Sequence, residues 1–171
     1  VPASAARGEP PMSDASLLLV DYAGHAFTYE LARTLGQRDA GVEYAYCATT
    51  VTPRGDLQAT ESLAVHPLGA GWTVERYRLI GRLRSELRLG RDAARLRRRR
   101  RPAPGVTADL PVGSAFVTWV GLRWGRARFV LWFQDSQGGL ASTVGSKPSL
   151  ASRGLAMLEG FVLRRAHRVV T

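Results

Sequence analysis

Apolar residues along the chain fall into short continuous runs and longer one-turn repeats, separated by glycine and proline. Leu17 to Tyr22 is a run of the length a buried strand needs. Gly24 breaks it. From Ala26 to Gln37 the period changes: Phe27, Leu31, Ala32 and Leu35 recur about once per turn, which predicts a helix. Gly36 or, better, Gly41 ends it. Val42 to Thr49, dense in Tyr, Val and Ala, predicts a second strand. Strand, glycine turn, helix and strand in so short a span make a βαβ unit, which demands a parallel sheet with a right-handed crossover.

Val51 to Trp72 is irregular, with one strand expected near Leu63 to Leu68. A long helix is expected from about Val74 to Arg99. Its apolar stripe is Tyr77, Ile80, Leu83, Leu87 and Ala94. About 25 residues at the helical rise span roughly 38 Å. Pro102 and Pro104 stop it. Gly105 to Leu110 reads as a strand, Gly113 to Trp124 as a helix, and Arg128 to Phe133 as the clearest strand of all. Ser136 to Lys147 is a polar, glycine-rich loop. Ser149 to His167 is helical, and Arg168 to Thr171 opens another strand. The expected organisation is a disordered lead-in over 1–15 and one α/β domain over 16–171, with the last strand read as a truncation point.

Composition narrows the classes. The chain has 171 residues and is 45% hydrophobic, enough for a core and too much for wholesale disorder. Cys47 is the sole cysteine, so no internal disulfide or cysteine-based zinc site is available. It reads as a buried strand residue. His66 and His167 read as structural, and the three histidines spell no metal site. The richest apolar stretch, Ala115 to Phe133, carries Arg123, Arg126 and Arg128, which rules it out as a bilayer span. No secretory pattern opens the chain, so the expected compartment is the cytoplasm.

Charge is concentrated. The net charge is +10, and Arg82 to Arg101 alone holds ten arginines against Glu86 and Asp92. Lys147 is the single lysine. Three readings stand: a solvated helix face in an arginine-biased chain, contact with an anionic membrane through Arg97, Arg98, Arg99 and Arg100, or contact with nucleic acid. The order of strands and helices matches no nucleic-acid module, so nucleic acid is not the expected partner.

Two places carry candidate chemistry. Asp21-Tyr22-Ala23-Gly24-His25 lies between the first strand and the first helix, where glycine permits a tight turn and a helix amino terminus favours an anion. His25 either faces a ligand or caps its own turn. Trp132-Phe133-Gln134-Asp135 closes the strand that starts at Arg128, and there Asp135 binds a sugar hydroxyl, positions a group, or caps a turn. Asp109 ends the strand between them. GxGxxG, GxxxxGK[ST] and GxSxG are all absent from the sequence.

The run DYAGHAFTYELARTLGQRDAGVEYAYCATTVTPRG (Asp21 to Gly55) resembles the start of the amino-terminal domain of family 4 glycosyltransferases of cell-surface polysaccharide assembly. RFVLWFQDSQG (Arg128 to Gly138) and LEGFVLRRAHRVVT (Leu158 to Thr171) resemble later segments of the same domain. The resemblance implies a Rossmann-like open parallel sheet, the acceptor-side half of a GT-B fold whose donor domain is absent. It implies sugar transfer with retention of configuration, no cofactor beyond a nucleotide-diphosphate sugar as donor substrate, and no metal. The acceptor is a sugar or lipid-linked, which places the protein at the inner membrane face. By resemblance Gly24 and His25 face the donor phosphates and reacting sugar, and Gln134 and Asp135 lie beside the acceptor. Asp109 stands where many relatives have a histidine or asparagine, and Asp-Leu-Pro there departs from that pattern. The rivals are another α/β nucleotide- or cofactor-binding enzyme, such as a methyltransferase, and a basic non-enzymatic binding module. A methyltransferase favours an acidic end to strand two, where this chain has Cys47-Ala48-Thr49-Thr50.

Overall fold

The apolar runs become strands of a single sheet in the computed structural model, which describes residues 17–38, 41–49, 57–72, 79–99, 105–108, 110–124, 127–133 and 150–171. In chain order the elements are β1 (Leu17–Asp21), α1 (Ala26–Arg38), β2 (Val42–Cys47), β3 (Leu63–Leu68), α2 (Leu79–Arg99), β4 (Gly105–Ala108), α3 (Val112–Trp124), β5 (Phe129–Trp132), α4 (Leu150–Arg165) and β6 (Arg168–Val170). The strands lie in the order β3-β2-β1-β4-β5-β6, and every pairing is parallel. This is a Rossmann-like α/β sheet. Its order reverses between β1 and β4, so the carboxyl ends of those two strands open a crevice at the switch point.

Strand alternation sorts the core into two layers. Leu19, Val42, Tyr44 and Leu63 face α1 and pack on Tyr29 and Ala32. Leu18, Val20, Ala45, Phe129 and Leu131 point the other way, onto Leu89, Ala115, Leu122 and Val162 of the remaining helices. Both faces of the central strands are therefore covered, which is why they read as unbroken apolar runs.

Helix α2 buries Ala94 of the expected stripe but not Leu83 or Leu87, while Tyr77 and the Ile80 side chain lie outside what is described. Leu83 and Leu87 are exposed, 48% and 41%. The buried side is Glu86, Leu89, Gly90, Ala93, Ala94 and Arg97. Small residues decide that phase, because they let α2 lie directly on α3. A Cβ on Gly90 would stand 2.8 Å from the Ser114 carbonyl oxygen, and one on Gly121 would collide with Ala94. The Ser114 hydroxyl donates to the Glu86 carbonyl oxygen at 2.8 Å, tying the two helices.

Arg97, expected to face outward, is instead buried at 6% exposure. It belongs to a charged group between α2 and the sheet, with Glu43 of β2 and His66 of β3, whose Nε2 lies 3.9 Å from Glu43 Oε2. Burial holds the Arg97 guanidinium below its usual value, and the Glu43 carboxylate pulls it back up. Lacking any other ready form, the guanidinium stays charged, and Glu43 offsets its burial.

The β3 edge has two features. Thr60 and Leu63 exchange both backbone hydrogen bonds in a tight turn, at 2.9 and 3.3 Å. The carbonyls of Ser62 and Leu68 face β2, where Val42 and Ala48 donate to them. By alternation Pro67 then faces outward, where its missing N–H costs the ladder nothing.

The buried charges make a stability prediction. Arg97→Met strands the Glu43 carboxylate and should cost about 3–5 kcal/mol. Adding Glu43→Gln to Arg97→Met should return most of the loss, and urea unfolding of the three proteins measures both effects.

Candidate functional site at the carboxyl edge of the sheet

The turn between β1 and α1 is built by one side chain. Asp21 is the last residue of β1 and is completely buried. Its Oδ1 accepts the Ala23 N–H at 3.0 Å, and its Oδ2 accepts the His25 N–H at 2.8 Å and the Tyr44 hydroxyl at 3.0 Å. Three donors at one carboxylate replace the hydrogen bonds of the water it has lost. The short-range bonds are those of an Asx turn, which folds the backbone back on itself just after the strand. Gly24, with φ at 73°, supplies the left-handed residue the reversal requires.

His25 is the residue immediately before α1, and its carbonyl oxygen accepts the N–H of both Thr28 and Tyr29 at 3.1 Å. The imidazole Nδ1 sits 3.6 Å from Asp21 Oδ1, beyond hydrogen-bond length but close enough for an ion pair when the ring is protonated. Nε2 is on the opposite edge of the ring. The imidazole stacks on Phe27 with centroids 5.0 Å apart, and Phe27 meets the edge of Trp132 at 5.7 Å. Trp132 is the last residue of β5, two strands from β1. The three rings thus bridge the crevice where the strand order reverses. Phe27 is 48% exposed there, an apolar ring left in water at the mouth of a polar turn.

Among the sequence candidates, the structure brings Gly24 and His25 to the switch point. Asp109, Gln134, Asp135 and Arg100 lie outside the described residues, and so does the loop Ser136 to Lys147. Asp21 and Trp132 stand inside the two candidate runs of the sequence without a role of their own, and Phe27 stands only in the helical period. An Asx-type residue ending a strand two positions before a small residue signals the first. Phe27 fits the helical period, yet its place in the first turn puts it at the crevice and not in the core.

No group of three or more potential metal ligands occurs among the described residues. None of the described helices is long and apolar enough to cross a membrane. Cys47 is buried, as expected, with its thiol 3.2 Å from the Thr49 hydroxyl. The chain matches no protein-family profile and no curated protein. The chain has a Rossmann-like architecture.

The outer face of α2 is the second candidate surface. Arg84, Arg88, Arg91, Arg95 and Arg98 are all exposed and recur at alternating steps of four and three, so they share one face. They run for about 21 Å. Asp92 pairs with Arg95 at 3.5 Å, and Glu86 is turned inward to Arg82 at 2.8 Å, so little acid interrupts the stripe.

The turn yields a paired prediction. Tyr44→Phe removes one bond to a charged acceptor and should cost about 1.5–3 kcal/mol in urea unfolding. Asp21→Ala should cost more than Tyr44→Phe, and it alone should speed hydrogen exchange at the Ala23 and His25 amides.

Proposed function

We propose that this domain belongs to an α/β enzyme and binds a small nucleotide-, cofactor- or sugar-type ligand at the carboxyl edge of the sheet. The observation that carries this reading is the His25–Phe27–Trp132 bridge over the crevice between β1 and β5. Open parallel sheets bind ligands at such a point. An apolar ring surface beside a convergent polar group is the usual make-up of a small-molecule site. Asp21 fixes the His25 backbone through its N–H, and the imidazole lies stacked on Phe27.

Within that class, glycosyl transfer is the specific reading. It rests on the resemblance of Asp21 to Gly55, Arg128 to Gly138 and Leu158 to Thr171 to the acceptor half of family 4 glycosyltransferases. A sugar ring offers one apolar C–H face for Phe27 or Trp132 and hydroxyls for His25. The donor is a nucleotide-diphosphate sugar, and the work of the protein is positioning and charge stabilisation. The methyltransferase reading lacks its acidic residue at the end of β2, where Cys47-Ala48-Thr49 stand.

Titration of the labelled protein with simple glycosides, nucleotide sugars, S-adenosylmethionine and NAD separates these readings. The glycosyl reading expects glycosides or nucleotide sugars to shift the Gly24 and His25 amides and the Trp132 indole N–H. His25→Ala and Trp132→Ala should each weaken that binding about tenfold or more while the protein stays folded. Shifts from S-adenosylmethionine or NAD alone would replace glycosyl transfer with the rival enzyme reading. Silence at all three positions would remove the site.

The α2 stripe supports a second proposal, contact with an anionic membrane face. Five exposed arginines in line, with Leu83 and Leu87 exposed toward one end, make a helix with charged and apolar surface together. Substituting glutamine at Arg84, Arg88, Arg91, Arg95 and Arg98 should abolish sedimentation with phosphatidylglycerol vesicles. Unchanged sedimentation would show that the stripe is only a solvated face.

A further inference from the structure

The opposite edge of the sheet holds a feature that the proposed site does not use. Where β5 and β6 begin, a cavity of about 210 Å³ is lined by Trp119, Arg123, Ala127, Phe129, Arg165 and His167. Arg123 lies in the last turn of α3 and Arg165 in the last turn of α4. Their guanidiniums rest on aromatic rings, Arg123 over Trp119 at 5.7 Å and Arg165 over Phe161 at 5.4 Å. Trp119 and Phe161 in turn meet edge to face at 5.4 Å, so the two arginines stand on one rigid aromatic base. A guanidinium stacked by its face keeps its N–H rim for a partner in its own plane.

The third polar group is His167. Its Nδ1 accepts the Phe129 N–H at 3.1 Å, while its own backbone N–H donates to the Phe129 carbonyl at 2.8 Å. With Nδ1 occupied as an acceptor, the neutral imidazole carries its proton on Nε2. The carbonyls of Leu122 and Val162, at the ends of the two helices, already accept the N–H groups of Ala127 and Ala166 at 3.0 Å each. No carboxylate lines the cavity among the described residues. Every side-chain polar group around it is therefore a donor, and two carry full positive charge.

Helix carboxyl ends attract basic residues by themselves, and that accounts for one arginine at each end. It does not account for two arginines and an imidazole donor meeting at one hollow on a shared aromatic base. The geometry points to a phosphate-binding site here, taking a phosphomonoester. Two guanidiniums balance the charge of about −1.5 to −2 that such a group carries at neutral pH. Their forked donors suit its oxygens, and Nε2–H supplies a further bond. The ester comes either on a soluble metabolite or as a lipid headgroup, and the chemistry of the contact is the same.

The test uses the full chain. Inorganic phosphate and glycerol 3-phosphate are titrated against the labelled protein, and vesicles containing phosphatidic acid are tested by sedimentation. A soluble ligand should give saturable shifts at the Phe129 amide and the His167 side chain. Arg123→Gln and Arg165→Gln should each weaken binding about tenfold, because each removes a charge-assisted pair. His167→Asn keeps an acceptor for the Phe129 N–H, so it should weaken binding less. Glutamine at Arg84 and Arg88 of α2 should leave the titration unchanged. A lipid source is indicated if the soluble phosphates give no shift while phosphatidic acid vesicles still bind a protein whose α2 stripe is already neutralised, and Arg123→Gln abolishes that remaining binding. The site is overturned if neither phosphate source binds, or if the soluble titration falls equally with the α2 substitutions. The wild-type titration decides the first point even where a variant fails to fold. His25→Ala should leave all of it intact, so this site and the one at the other edge stand or fall separately.

Discussion

A single carboxylate, with no water around it, sets the carboxyl edge of this sheet. Asp21 is buried at the end of the central strand and is held by two backbone N–H groups and the Tyr44 hydroxyl. Removing a charge from water costs several kcal/mol, and only a full set of donors offsets it. Those donors come from the turn that follows and from the neighbouring strand. Forming the turn and seating β1 beside β2 are thus one event. The direction of α1 and the placement of Gly24 and of the His25 backbone follow from it.

The other face is held by different means. The approach of α2 to α3 depends on absent side chains at Gly90, Gly113 and Gly121, which let Ser114 reach the backbone of the next helix. The same close approach turns Arg97 inward, where Glu43 balances it. The arginine-rich segment therefore divides by helical phase. One arginine belongs to the interior, and five line up in solvent. A run of charge in a sequence is not a surface until the phase of the helix is known.

That point marks what could be read from residues alone. The strands were legible because burial on both faces leaves unbroken apolar runs, and β3 falls at Leu63–Leu68 as the sequence predicts. The phase of α2 was not legible. Hydropathy sends leucine inward and arginine outward, whereas here glycine and alanine set the contact, leaving Leu83 and Leu87 outside. Gly24 and His25 were legible from the strand-to-helix break. The part played by Asp21 was hidden because its partner, Tyr44, lies 23 positions on, and only the parallel pairing of β1 with β2 brings them together. Phe27 obeyed the helical period and so passed for a core residue. The ring contact with Trp132 joins residues far apart in the chain, and no local pattern announces it.

The outer side of β3 has a consequence for how the molecule keeps to itself. A parallel sheet ends in a row of unused donors and acceptors that invites another chain to add a strand. Here Leu63 has spent both groups on Thr60, and Pro67 has no donor to offer. Val65 alone remains between them, too short a template for a foreign strand to grip. Among the described residues, growth by sheet extension is opposed at this margin by three successive outward positions, Leu63, Val65 and Pro67, none of them charged.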